Sequence, residues 1–216
     1  MELTILYDNT VFEKGKGLKS DWGFSCLIET ERKNILFDTG ANPKILHNNM
    51  KILCINPSNI DKIIISHEHW DHNGGLELFK PFSQKVELFR IIENKDNSFS
   101  KCNMIEDLRE IEPSILTTGK LPGFPVDEQS LIIKRSEGIY VMAGCSHSSV
   151  ENIFRVAKQF DKIIGLIGGL HDFNNFPLLK ELKVICPTHC TTHKQKIKEL
   201  FPKRYTSGGV GKTISL

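Results

Sequence analysis

No apolar stretch in this chain approaches the roughly 20 residues that a membrane-crossing helix needs. Apolar stretches such as Ile63-Ile64-Ile65 and Ile163 to Ile167 are strand-sized. An excess of either charge is also missing: 28 basic and 26 acidic residues are interspersed, leaving a formal net charge of +2. Without a basic stripe or tail there is no electrostatic footprint for nucleic acid, and Lys194 to Lys198 reads as a solvated helix face. The six cysteines, at 26, 54, 102, 145, 186 and 190, include no C-x-x-C pair. They read as free thiols of a cytoplasmic protein rather than a disulfide framework. The start, Met1 to Tyr7, opens directly into a strand pattern with neither a basic segment nor a cleavage site, so a cytoplasmic address is expected.

What is present is ordinary soluble composition, 39% hydrophobic and 25% charged, enough for a sizeable core in one domain spanning residues 1–216. Short apolar runs separated by turn signals predict strands at Leu3 to Leu6, Phe24 to Glu29, Asn34 to Phe37, Lys62 to Ser66 and Val86 to Ile92. Later strands are expected at Ser130 to Lys134, Ile139 to Ala143, Ile163 to Ile167 and Val184 to Cys186. Helical periodicity covers Pro43 to Asn49, Cys102 to Ile111, Val150 to Phe160, Leu178 to Leu182 and Lys194 to Phe201. Ser148 with Glu151 forms a capping-box pattern ahead of the third. Early strands in pairs and later strands alternating with helices predict an α/β (α+β) layered fold. Glu93 to Lys101 and Thr117 to Pro125 read as surface loops, candidate flaps over a site. Near the end, Ser207 to Thr213 imitates a phosphate-binding loop. Position 206 is Thr instead of the first glycine, and too few residues follow for a helix, so a closing turn and strand is expected.

The chemistry concentrates at Ser66-His67-Glu68-His69-Trp70-Asp71-His72-Asn73-Gly74-Gly75. A strand ends and, within six residues, three imidazoles and a second-to-last aspartate appear. Imidazole nitrogen and carboxylate oxygen are ligands that zinc, iron and manganese accept. Alternation at 67 and 69 sends two imidazoles the same way from an extended backbone. Asp71 and His72 follow on the turn, placed for a second ion. Trp70 reads as a packing residue that shapes the loop.

This H-x-H-x-D-H pattern resembles the hallmark of the metallo-β-lactamase superfamily, which implies a four-layer αββα sandwich with the site at the sheet edges. Ile35-Leu36-Phe37-Asp38-Thr39-Gly40 is similar to the strand-Asp-x-Gly element, where the aspartate supports the metal loop from behind the ligands. Val184 to His189 is similar to the strand carrying the last metal ligand. Tyr7-Asp8-Asn9-Thr10, Trp22-Gly23-Phe24-Ser25, Thr118 to Pro122, Asp127 to Leu131, Gly144-Cys145-Ser146-His147, Ile167 to His171 and His189-Cys190-Thr191 follow in order. Together they resemble the group named for 7,8-dihydropterin-6-methyl-4-(β-D-ribofuranosyl)aminobenzene-5′-phosphate synthase. The resemblance implies a phosphate-bearing, pterin-linked substrate.

Two departures from the superfamily pattern matter. None of the eight histidines lies between His72 and His147, where a further ligand of the first metal is usual. Cys145 follows the strand Ile139 to Ala143 where the usual pattern has a bridging aspartate. His147, two residues on, projects to the same side of an extended strand end and offers the missing imidazole. The expected sets are therefore His67, His69 and His147 for a first ion, and Asp71, His72 and His189 for a second. Cys145 stands between them as ligand, acid/base or redox-sensitive group, against the reading of a buried apolar thiol. A helix-entry histidine with only a backbone bond is the plain alternative for His147. His171 is expected to line the pocket, binding a substrate anion or orienting a ligand; His47 and His193 are expected at the surface.

The expected cofactors are one or two divalent metal ions, zinc first, with iron, manganese or magnesium as alternatives. The expected activity is hydrolysis or a related phosphate-group transfer on a small anionic molecule, using Asp71 to orient an activated water. A metal- or redox-sensing binding protein with little turnover is the alternative that Cys145 favours. Nucleic-acid processing is the third, opposed by the balanced charge. No membrane partner is expected, and a homo-oligomer is compatible with the sequence.

Overall fold

The computed structural model describes residues 1–92 and 98–216, in two compact units: Met1–Ile105 with Gly208–Leu216, and Glu106–Ser207. The loop expected over Glu93 to Lys101 falls mainly outside the described residues.

The first unit is built on a seven-stranded sheet. Strand β2 (Ser25–Glu29) runs antiparallel to both of its neighbours, β1 (Glu2–Tyr7) and β3 (Asn34–Phe37). Strands β4 (Lys62–Ile64), β5 (Glu87–Arg90) and β6 (Lys101–Met104) then continue from β3 in parallel. The last strand, Thr213–Ser215, closes the other edge antiparallel to β1. A parallel step needs a crossover, and helix α1 (Pro43–Ile52) makes the one from β3 to β4. Proline sits in its first turn, and the Asn42 side chain accepts from the Lys44 N–H, satisfying a donor the helix cannot. Leu46 and Met50 point inward to join Leu6, Leu36, Ile63, Phe79 and Leu88. Burying each such side chain is worth about 1.5–3 kcal/mol.

The second unit has a six-stranded sheet. Strands β7 (Arg109–Glu112), β8 (Ile115–Thr117), β9 (Leu131–Arg135) and β10 (Gly138–Ala143) form an antiparallel meander. Strands β11 (Ile163–Gly169) and β12 (Val184–Thr188) follow β10 in parallel. Every residue of β10 and β11 is buried, which is why both read as continuous apolar runs rather than alternating ones. The short helix α2 (Trp70–Asn73) belongs to the first unit; α3 (Val150–Ala157) and α4 (Lys194–Leu200) belong to the second. Helix α3 buries Val150, Ile153, Phe154 and Ala157 against the strands.

Several expectations are corrected. Cys102 to Ile111 is not helical: its ends are β6 and β7, which pair with β5 and β8. Strand-edge hydrogen bonding overrides the apparent three-residue period of Cys102, Ile105 and Ile111. Leu178 to Leu182 gives only a 3-10 turn, Phe176–Leu179. The α3 cap is Ser149, which accepts from the Asn152 N–H at 3.3 Å, rather than Ser148. Thr117 and Thr118 are buried at the head of a segment expected to be a surface loop, with Thr117 Oγ1 2.7 Å from Gln129 Oε1. Trp70 is 63% exposed, so it does not pack the loop.

Each unit thus sets parallel strands side by side, and the candidate residues follow their C-terminal ends. Asp38 follows β3 and His67 follows β4; Cys145, His171 and His189 follow β10, β11 and β12. Loops at such ends are where α/β sheets place their chemistry.

Candidate functional site

In the first unit the decisive group is Asp38, fully buried just beyond β3 with φ 57. A non-glycine residue in the left-handed region is strained, and such strain gathers at sites whose surroundings hold it in place. Its Oδ1 accepts the Ser66 N–H at 2.7 Å, and its Oδ2 accepts the Ser66 hydroxyl at 2.8 Å and His72 Nδ1 at 2.7 Å. Ser66 Oγ also lies 2.8 Å from His67 Nδ1. Proton positions follow from these contacts. Ser66 has one hydroxyl proton and gives it to the carboxylate, so His67 Nδ1 must donate to Ser66 Oγ. His72 Nδ1 likewise donates to Asp38. As neutral imidazoles both rings therefore carry their proton on Nδ1 and present a lone pair at Nε2. This is how imidazoles are held when they ligate a metal.

His67 Nε2 then faces His69 Nδ1 at 3.1 Å. Two donors each 2.0–2.1 Å from a tetrahedral zinc stand about 3.3 Å apart. The His67–His69 pair thus has nearly the spacing of two ligands on one ion. Asp71 Oδ2 lies 3.8 Å from His72 Nε2. Glu68 points elsewhere, accepting Arg90 Nε at 2.9 Å and a second, very short bond from the same guanidinium, with Asn73 Nδ2 at 2.9 Å. It anchors the loop and is not among the ligands. The double glycine has a spatial reason: a Cβ at Gly75 would meet the Thr39 carbonyl oxygen at 2.1 Å. Only glycine lets this loop lie against the Asp38 loop.

In the second unit the corresponding organiser is Glu128, which the sequence reading missed. Its fully buried carboxylate gathers four successive backbone N–H groups. Oε1 accepts from Gly144 at 3.0 Å, Cys145 at 2.9 Å and Ser146 at 3.1 Å, and Oε2 accepts from His147 at 2.6 Å. An anion in a nest of consecutive N–H groups fixes that backbone. The one sequence signal was a carboxylate in Asp127 to Leu131, a segment already notable in the resemblance.

Around this nest lie Cys145, His147, His171, His189 and Cys190. The ligand atoms of Cys145, His147 and His171 lie within 4.8 Å of one another, as do those of Cys145, His189 and Cys190. His147 Nδ1 is 3.2 Å from the Phe124 carbonyl oxygen, and its ring centroid is 4.6 Å from that of His171. His171 Nε2 is buried without a hydrogen-bond partner. His171 and His189 have φ 42 and 44. Cys190, absent from the expected site, has its sulfur 3.3 Å from that of Cys145. The Cys145 thiol, then His171 and His189, draw the Cys190 thiol well below the usual range, against the opposing effect of burial. Hydrogen bonding to Cys190 raises His171 in turn, again against burial. A cavity of about 420 Å³ is lined by His147 and His171 together with Phe124, Ser146, Glu151 and Phe173. His47 is exposed, as expected, and His193 is half-buried at the start of α4.

Nitrogen, carboxylate and sulfur donors, an orphaned buried imidazole nitrogen and two rings with Nε2 lone pairs fit a divalent metal. A family model described as the metallo-beta-lactamase superfamily matches residues 23–90, which include Asp38 and the whole 67–72 loop. A solved metal-dependent hydrolase of the beta-lactamase superfamily is similar at 21% identity and a TM-score of 0.80, covering 100% of this chain and 99% of that one. The chain has the metallo-β-lactamase fold. Two proteins of Methanocaldococcus jannaschii are also similar to this metallo-β-lactamase-fold chain. The uncharacterized protein MJ0448 is 29% identical, covering 99% of this chain and 100% of its own length. The 7,8-dihydropterin-6-methyl-4-(beta-D-ribofuranosyl)-aminobenzene-5'-phosphate synthase is 26% identical, covering 90% of each.

Proposed function

We propose that the protein is a metal-dependent hydrolase, or a related phosphate-group transferase, acting on a small phosphate-bearing and pterin-linked molecule. Zinc is the first choice of ion. The observation that carries the reading is the Asp38–Ser66 network, which leaves His67 and His72 with Nε2 lone pairs beside His69. The ligand sets proposed are His67, His69 and His147 for one ion and Asp71, His72 and His189 for another, within a single domain of residues 1–216. The chemistry such ions supply when bound is polarisation of a phosphoryl or ester oxygen and a lowered pKa of water.

The chain's own residues do the rest. Asp38 holds two imidazoles in the productive tautomer. The Asp71 carboxylate accepts a hydrogen bond from the attacking water and orients it. Glu128 holds the backbone on which Cys145 and His147 sit. His171 offers Nε2 to the anionic group of a substrate in the cavity beside Phe124 and Phe173. That cavity's volume lies in the range of small-molecule sites. The pterin-linked phosphate synthase of M. jannaschii supports the substrate class at low identity.

The test is hydrolysis of a generic phosphodiester and a phosphomonoester by the purified chain, with activity lost to a chelator and restored by zinc. A second reading, a metal- or redox-sensing binding protein, is favoured by the Cys145–Cys190 sulfur pair. Stoichiometric metal with no turnover on phosphoesters or on pterin phosphates would replace the first reading with the second.

A further inference from the structure

Two thiols in this chain come together at the strand ends of the second unit. Cys26 and Cys186 are buried within strands β2 and β12, where a cysteine serves as a small apolar side chain. Cys145 and Cys190 instead lie on loops, after β10 and β12, and their sulfurs approach to 3.3 Å. Neither is in a disulfide, and Cys145 is only 2% exposed. The space for this approach is built into the backbone. A Cβ at Gly169 would stand 2.4 Å from the Gly144 carbonyl oxygen, 2.7 Å from Cys190 Sγ and 3.2 Å from Cys145 Cα, so a larger residue there would crowd the Cys190 sulfur and the Cys145 backbone. His189 places its ligand atom within 4.8 Å of both sulfurs. The orphaned Nε2 of His171 belongs to the same loop cluster.

We propose that Cys145 and Cys190 are both thiolate ligands sharing one divalent ion with His189, so that His189 belongs to this thiolate set instead of the Asp71–His72 set, and that the sulfur pair makes the site selective for a thiophilic ion, zinc or ferrous iron, over magnesium or manganese. The proposal deepens the metal-dependent reading above and rests on it. Two sulfurs on one tetrahedral zinc, each about 2.3 Å from it, stand roughly 3.7 Å apart. The observed 3.3 Å therefore needs only a small outward adjustment of two loop side chains. Thiolates favour zinc and iron, whereas carboxylate and water suit magnesium and manganese, so the donor set itself discriminates. Each thiol gives up its proton when it ligates, so one ion bound here releases two protons to solvent.

The experiment uses the full chain, freed of metal with chelator under reducing conditions and loaded with cobalt(II) without oxygen. The expected result is a near-ultraviolet sulfur-to-cobalt charge-transfer band. Cys145→Ser and Cys190→Ser should each keep about half of its intensity, and the double variant none. Cys190→Ser should also weaken zinc binding by at least roughly the 10–100-fold that loss of a mere supporting partner brings, with manganese affinity unchanged. Circular dichroism of each variant separates ligand loss from misfolding. If Cys190→Ser fails to fold, protection of Cys190 from alkylation by zinc in the wild type replaces it as the readout. A full band in folded Cys190→Ser, or equal alkylation with and without zinc, overturns the proposal. Visible cobalt bands without any charge-transfer band also overturn it, while leaving the imidazole-based metal reading intact.

Discussion

Replacing Glu128 by glutamine tests whether one buried carboxylate holds the Cys145–His147 loop. In the native chain its oxygens accept four backbone N–H groups at 2.6–3.1 Å. Hydrogen bonds to an ionised acceptor are worth about 1.5–3 kcal/mol each, against about 1 kcal/mol for neutral ones. Glutamine can direct its oxygen to Gly144, Cys145 and Ser146, weakening three bonds by roughly 0.5–1.5 kcal/mol each. Its amide group then confronts the His147 N–H, donor against donor, leaving a buried donor unsatisfied at a cost of roughly 1–3 kcal/mol. Removing a buried charge returns several kcal/mol of desolvation, so the net loss is about 2–4 kcal/mol. For a chain of this size that lowers Tm by about 4–16 °C. The assay is thermal unfolding by circular dichroism, paired with maleimide labelling of Cys145, which is 2% exposed in the native fold. The variant should label at Cys145 while still folded, which a uniform loss of stability would not produce. An unchanged Tm with Cys145 still protected would refute the reasoning.

His69→Ala should lower bound metal well below wild type with the fold retained, because His69 is half-buried on a loop and covers no core; unchanged stoichiometry by elemental analysis would remove His69 from the ligands. Asp38→Asn should weaken metal binding roughly 10–100-fold without deleting a ligand. Competition with a chelating dye measures this, and an anomalous map with Asp38 directly on an ion would contradict its supporting role. His147→Ala should cost one of two bound ions and spare the other; retention of both would return His147 to a helix-entry residue bonded only to the backbone. Chelation of the wild type should lower its unfolding free energy by about 2.7 kcal/mol relative to protein held at a metal concentration 100-fold above Kd. An identical Tm with and without metal would argue against a site formed by the folded chain.

The sequence alone determined the strands at Asn34 to Phe37 and Ile163 to Ile167, the second of which runs on to Gly169 in the structure, because a strand buried on both faces needs a nearly unbroken apolar run. The H-x-H-x-D-H cluster was equally legible, since its spacing is local and its residue types are rare together, whereas Asp38 was legible only through the family resemblance. What the sequence misassigned depended on partners far along the chain. Cys102 to Ile111 has a helical period, yet neighbouring strands β5 and β8 supply hydrogen bonds that only the assembled sheets offer. Glu128 resembles any polar loop residue until β9 and β10 bring it beneath residues 144–147. Cys190 lies 45 residues from Cys145, and no pattern of spacing announces their contact. The parallel pairing of β10, β11 and β12 aligns the loops after them, and glycine at 169 lets the two sulfurs meet. Local periodicity and donor chemistry are written along the chain, whereas the meeting of distant side chains is set by sheet register.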